Sequence, residues 1–139
     1  MTDCVFCKIV EKKIPASVVY EDAETIAFMD IGAVNPGHAL VVAKPHVENI
    51  FGLDDALAAR LLQTTARVAR AVQAAFQPPG MSVYQANGAP AGQTVMHFHI
   101  HVVPRWEKDG MDLVWPVKNP PREELLANAE KIRAALAAQ

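Results

Sequence analysis

With 139 residues, 51% of them apolar and 20% charged, the chain reads as one globular domain spanning 1–139, long enough to bury a real core. A formal net charge of −2 offers no broad attraction to nucleic acid or to an anionic membrane, and no apolar run approaches the roughly 18 residues of a membrane span. The N-terminal stretch "MTDCVFCKIVEKK" lacks both the apolar length and the A-x-A-like site of a secretory leader, so a cytoplasmic protein is expected.

The elements are short and change type along the chain. Cys4 and Cys7 are the only two cysteines, too few for a disulfide scaffold at this size. Their C-x-x-C spacing suits a redox pair or half of a zinc site. "SVVYED" and "TIAFMD", separated by a charged turn at Asp22 and Ala23, predict a β-hairpin. The turn signal Asn35-Pro36-Gly37 introduces a further strand, "HALVVAK", which Pro45 ends.

Leu57, Leu61, Thr64, Val68, Val72 and Phe76 recur at intervals of three and four, which predicts a long helix. Asp54 or Asp55 can cap its start, and Pro78-Pro79-Gly80 stops it. "MSVYQA" returns to strand, "NGAPAGQTV" is a turn-rich loop, and "HFHIHVVP" is the last long strand. Asn119-Pro120-Pro121 then opens a C-terminal helix with Leu125, Ala129, Ile132 and Leu136 on its apolar face. Asn119 is the expected N-cap, with Glu123 and Glu124 in the first turn. Strands cluster around one long helix without regular β-α alternation. This pattern predicts an α+β fold: an antiparallel sheet of about five strands, the long helix on one face, and a C-terminal helix.

Three of the five histidines, His97, His99 and His101, stand at alternate positions in "MHFHIHVVPR". Alternation puts them on one face of a strand, with Phe98, Ile100 and Val102 on the other. The outer two Cα atoms then lie roughly 13 Å apart, while zinc–nitrogen bonds are only about 2.0–2.1 Å. One metal bound by all three would strain the outer pair, although two could share an ion. A metal-free use is more direct. If a backbone carbonyl holds the protonated nitrogen of one imidazole, the other nitrogen's lone pair is presented as a nucleophile. The flanking histidines can then bind developing charge or move a proton. Gly88, Gly92 and Thr94 in the preceding loop supply possible donors to a phosphate.

The run His97-Phe98-His99-Ile100-His101-Val102-Val103 resembles the signature of the histidine-triad (HIT) family of nucleotide hydrolases and transferases. The resemblance covers about the first 106 residues and leaves the loop and helix of 107–139 outside it. "CVFCKIVEKKIPASVVYEDAETIAFMDI", "NPGHALVVAKPHVENI" and "NGAPAGQTVMHFHIHVVPR" match its segments in order. The resemblance implies that His99 is the nucleophile that forms a nucleotidyl-histidine intermediate. It implies that His101 contacts the phosphate and assists the leaving group, and that His38 buttresses the triad completed by His97. Asp30 would hold the ribose hydroxyls, and Phe6, Ile9, Phe28 and Ile31 would form the base slot. Gly92, Gln93 and Thr94 would lie along the phosphate.

Ala86 stands where many relatives carry Asn or Gln, so either Asn87 reaches the nucleotide or one polar contact is missing. Cys4, Cys7, His46 and His97 resemble a Cys2His2 structural zinc set found in some bacterial relatives, with no catalytic cofactor required. The implied protein is a homodimeric purine-nucleotide hydrolase or transferase, acting on an AMP-linked phosphoramidate or a dinucleoside polyphosphate. A slow nucleotide-binding interaction module and a zinc-dependent hydrolase are the alternatives.

Overall fold

A computed structural model describes residues 3–112 and 114–139. Five strands form one antiparallel sheet: β1 (Val18–Glu21), β2 (Thr25–Met29), β3 (Ala39–Ala43), β4 (Gly80–Tyr84) and β5 (His99–Arg105). Their order across the sheet is β1-β2-β3-β5-β4. A short helix α1 (Val5–Val10), which the sequence pattern does not predict, precedes the sheet, and helices α2 (Asp55–Phe76) and α3 (Arg122–Ala137) follow that pattern.

Local chemistry places the turns. Asp22 Oδ1 accepts from the backbone N–H groups of Glu24 and Thr25 at 2.9 and 2.8 Å, closing the β1–β2 hairpin. Asp54 is the N-cap of α2 and accepts from Leu57 N–H at 2.8 Å. Gln77, in the left-handed conformation, ends that helix ahead of the two prolines.

Strand alternation divides the core in two. Ala27, Ala39, Val41, Ala43, Phe98 and Val102 face α2 and pack against Leu57, Leu61, Val68 and Val72. Thr64 is also buried on that helix, and its hydroxyl is matched by Thr25 Oγ1 at 2.8 Å. On the opposite face Ile26, Phe28, Leu40 and Val42 meet Phe6 and Ile9 of α1. His99 and His101 emerge on this second face, because β3 and β5 pair Val42 with His99 and Leu40 with His101.

The C-terminal helix differs from expectation at its start. Pro121, not Asn119, occupies the N-cap position, and no side chain caps the helix. Asn119 has φ +48°, a left-handed turn conformation, immediately before the two prolines. Leu125, Ile132 and Leu136 remain exposed on α3.

Candidate active site

The histidine cluster follows from register. On β2 and β3, even-numbered residues face α1, and Asp30 and His38 continue those rows just beyond the paired segments. Asp30 N–H donates to the His38 carbonyl at 3.1 Å, so the two side chains stand side by side, diagonal to His101. Gly37 permits the approach with φ +89°.

His99 is buried, and its Nδ1 lies 2.6 Å from the carbonyl oxygen of His97. A carbonyl only accepts, so Nδ1 carries the hydrogen and Nε2 keeps its lone pair. Phe6 packs edge-on against the same ring, centroids 5.1 Å apart. His38 is fixed in the opposite sense: Val34 N–H donates to its Nδ1 at 3.1 Å. Its hydrogen therefore sits on Nε2, which is 3.0 Å from His101 Nδ1 and 3.3 Å from Asp30 Oδ2. With Nδ1 accepting, His101 has its own hydrogen on Nε2. Burial pushes all three imidazoles below the usual histidine range, His101 to about 4, with the neighbouring His99 and His38 lowering it further. The site at neutral pH is thus a lone pair on His99 beside an N–H on His101.

The cleft over these groups has a volume of about 250 Å3 and is lined by Asp30, His38, His99 and His101 with Gly92, Gln93 and Thr94. Pockets that enclose a drug-sized ligand run to roughly 300–1,000 Å3, so this cleft is smaller than one that would enclose such a molecule whole. Gln93 is a strut: its Oε1 accepts from Gly88 N–H at 2.7 Å, and its Nε2 donates to the Glu48 and Val95 carbonyls.

Other expected contacts are placed differently. Phe6, Ile9 and Phe28 form one buried apolar cluster, but Ile31 is fully exposed and stands outside it. Asn87 is committed to structure, accepting from Ile50 N–H at 2.8 Å and exchanging hydrogen bonds with Gln85. Ala86 lines the cleft instead. The His97 side chain turns away, so His97 serves the cleft through its backbone carbonyl. Tyr84, which no local sequence pattern marks, stacks on His101 with centroids 4.4 Å apart and planes 3° from parallel.

The buried His97 ring belongs to a second cluster. Its Nε2–H donates to the Ala43 carbonyl at 2.6 Å, leaving Nδ1 3.3 Å from Cys4 Sγ and 3.6 Å from Cys7 Sγ. His46 Nδ1 is 3.3 Å from Cys7 Sγ, and the four ligand atoms all lie within 4.8 Å of one another. Sulfur and nitrogen ligands of one tetrahedral zinc stand about 3.6 Å apart, so donor set and spacing both fit such an ion. Burial, with Cys4 alongside, raises the Cys7 thiol to about 11; a metal would have to displace that proton. Asp30, His38 and His101 also converge. There the Val34 N–H leaves His38 with a proton on the converging nitrogen, which suits proton relay rather than cation binding.

A five-stranded antiparallel sheet presenting this histidine cluster is the arrangement of a histidine-triad protein. Residues 11–108 match the HIT domain. The chain belongs to the HIT family. It is 43% identical over 114 residues to Protein hit of Bacillus subtilis, covering 81% of this chain and 79% of the relative. The adenosine 5'-monophosphoramidase hnt1 of Schizosaccharomyces pombe is 35% identical over 134 residues, covering 96% of this chain and 98% of that one. The crystal structure of a HIT family member from Bacillus subtilis superposes with a TM-score of 0.91 at 38% identity, covering 95% and 96% of the two chains. Among the described residues no helix is long and apolar enough to cross a membrane.

Proposed function

We propose that the protein hydrolyses AMP-linked substrates through a covalent nucleotidyl intermediate on His99. The observation that carries this reading is the His99 Nδ1 contact with the His97 carbonyl at 2.6 Å, which leaves Nε2 as the nucleophile. Its lone pair forms the N–P bond while the bond from phosphorus to the leaving group breaks. The anionic phosphate in the cleft first draws a proton from solvent onto the His101–His38–Asp30 relay; the departing atom then keeps that electron pair and takes the proton on His101 Nε2, which leaves His101 a neutral imidazole. Water then attacks phosphorus, returns its proton to His101, and restores the His99 lone pair as the nucleoside monophosphate departs. Asp30, an acceptor-only group at the cleft edge, would hold the ribose hydroxyls.

Similarity to the fission-yeast phosphoramidase over nearly the whole chain favours a phosphoramidate over a dinucleoside polyphosphate. Apolar Leu62 and Phe76 of α2 and Val83 of the edge strand β4 remain exposed, which supports a homodimer. Zinc held by Cys4, Cys7, His46 and His97 would be structural: with four protein ligands the site is closed, and its role is to tie α1 to the start of β5.

The test is a substrate panel at matched concentrations, comparing adenosine phosphoramidates with diadenosine tri- and tetraphosphates in wild type and His99→Ala. Metal-independent turnover of the phosphoramidates, absent from the variant, is expected. Near wild-type turnover in His99→Ala would contradict the reading.

A further inference from the structure

The β4–β5 register sets Tyr84 directly opposite His101, so both side chains rise from the same face of the sheet. Their rings are parallel within 3°, and both line the cleft. His101 is therefore held by the Nε2–H of His38, by the His99 ring 5.1 Å away and by the Tyr84 face. Among the described residues, His101 is the one ring stacked on Tyr84. β4 is the terminal strand of the sheet, and Tyr84 keeps 41% of its surface exposed. Ala86 adds only a methyl group, and the Asn87 amide is committed to Ile50 and Gln85.

We infer that Tyr84 is a specificity-determining residue that favours leaving groups carrying an aromatic ring. The inference rests on the proposed hydrolysis of AMP-linked substrates. In an in-line displacement the leaving group departs from the side of phosphorus opposite His99, where His101 supplies its proton. Tyr84 lines the same cleft beside His101 and keeps part of its ring exposed there. A planar ring joined to the departing atom by a short linker can stack there at little entropic cost, since tyrosine has only two side-chain torsions to fix. Tyr84 also positions His101, so its loss slows every substrate, whereas selectivity for a ring depends on the stacking face alone.

The test compares adenosine phosphoramidates of 2-phenylethylamine and 2-cyclohexylethylamine, which share linker length and differ in the ring. Diadenosine tetraphosphate forms a second arm, in which the ring is the distal nucleobase. Wild type should prefer the phenyl over the cyclohexyl substrate by about two- to tenfold in kcat/KM. Tyr84→Leu should bring that ratio to about one, and Tyr84→Phe should keep it. Loss on diadenosine tetraphosphate exceeding that on the cyclohexyl amide would support the nucleobase as a source of the ring. A wild-type ratio near one, or an unchanged ratio in a folded Tyr84→Leu, overturns the role of Tyr84 while leaving the hydrolase reading intact. Absence of turnover for every substrate in wild type overturns that reading and this inference together.

Discussion

The Nδ1 atom of His99 lies 2.6 Å from the carbonyl oxygen of His97, and this contact settles which imidazole nitrogen faces the cleft. A backbone oxygen cannot switch from acceptor to donor, so the free lone pair is built into the strand. Replacing His99 with alanine is expected to cut turnover of an adenosine phosphoramidate on the order of 10^4-fold or more, with AMP affinity within a few fold of wild type. Steady-state kinetics and calorimetric titration with AMP check the two halves. Loss of both together would make His99 a binding residue.

The buried imidazoles also shape stability. Burial, with His99 and His38 nearby, lowers His101 to about 4, and burial lowers His38. Between these folded values and the ordinary value of about 6.5, the unfolded chain binds more protons than the folded one, so stability rises with pH. Acidification from about pH 6.5 toward pH 4 should therefore lower the thermal midpoint, and His101→Gln should flatten that slope. A midpoint indifferent to pH across this window in wild type would show that these histidines are solvated. Asp22, held at about 2 by its hydrogen bonds to Glu24, Thr25 and Tyr20 against the cost of burial, contributes its own loss only at lower pH.

Metal analysis of protein prepared without chelator should find about one zinc per chain, and Cys4→Ser should lose it. Chelation should lower the thermal midpoint, because α1 is tied to β5 through that cluster. Zinc-free protein with an unchanged midpoint would leave Cys4 and Cys7 as a plain thiol pair.

Gly37 has φ +89°, and a Cβ placed there would stand 2.8 Å from Phe76 Cδ2 and 3.1 Å from Pro104 Cγ. Gly37→Ala is expected to destabilise the fold by about 1–3 kcal/mol and to displace the adjoining His38. Chemical denaturation measures the first effect. A change below about 0.5 kcal/mol would show that Phe76 simply rotates aside.

Periodicity made much of this visible in advance. The apolar stripe from Leu57 to Val72 gave α2, and strict alternation gave the shared face of His99 and His101. Contacts that depend on strand pairing were not legible, because no local pattern reports register. Tyr84 is separated from His101 by the whole loop after β4, and nothing near it in sequence marks it as a ring partner. The Val34 N–H that fixes His38 is likewise a backbone group set by the turn before β3. Asn119 was expected as a cap from its residue type alone, yet the prolines after it moved the helix start to Pro121–Arg122. Ile31 follows the β2 row in sequence but lies past the last paired residue, where the chain turns outward.

The most direct test of covalent catalysis is to mix enzyme with excess adenosine phosphoramidate, quench in alkali, where phosphorus–nitrogen adducts survive, and map the peptides by mass spectrometry. An adenylyl group on His99, forming and decaying at rates compatible with turnover, is the predicted result. Rapid turnover with no adduct on His99, or with the adduct on another residue, would contradict the account.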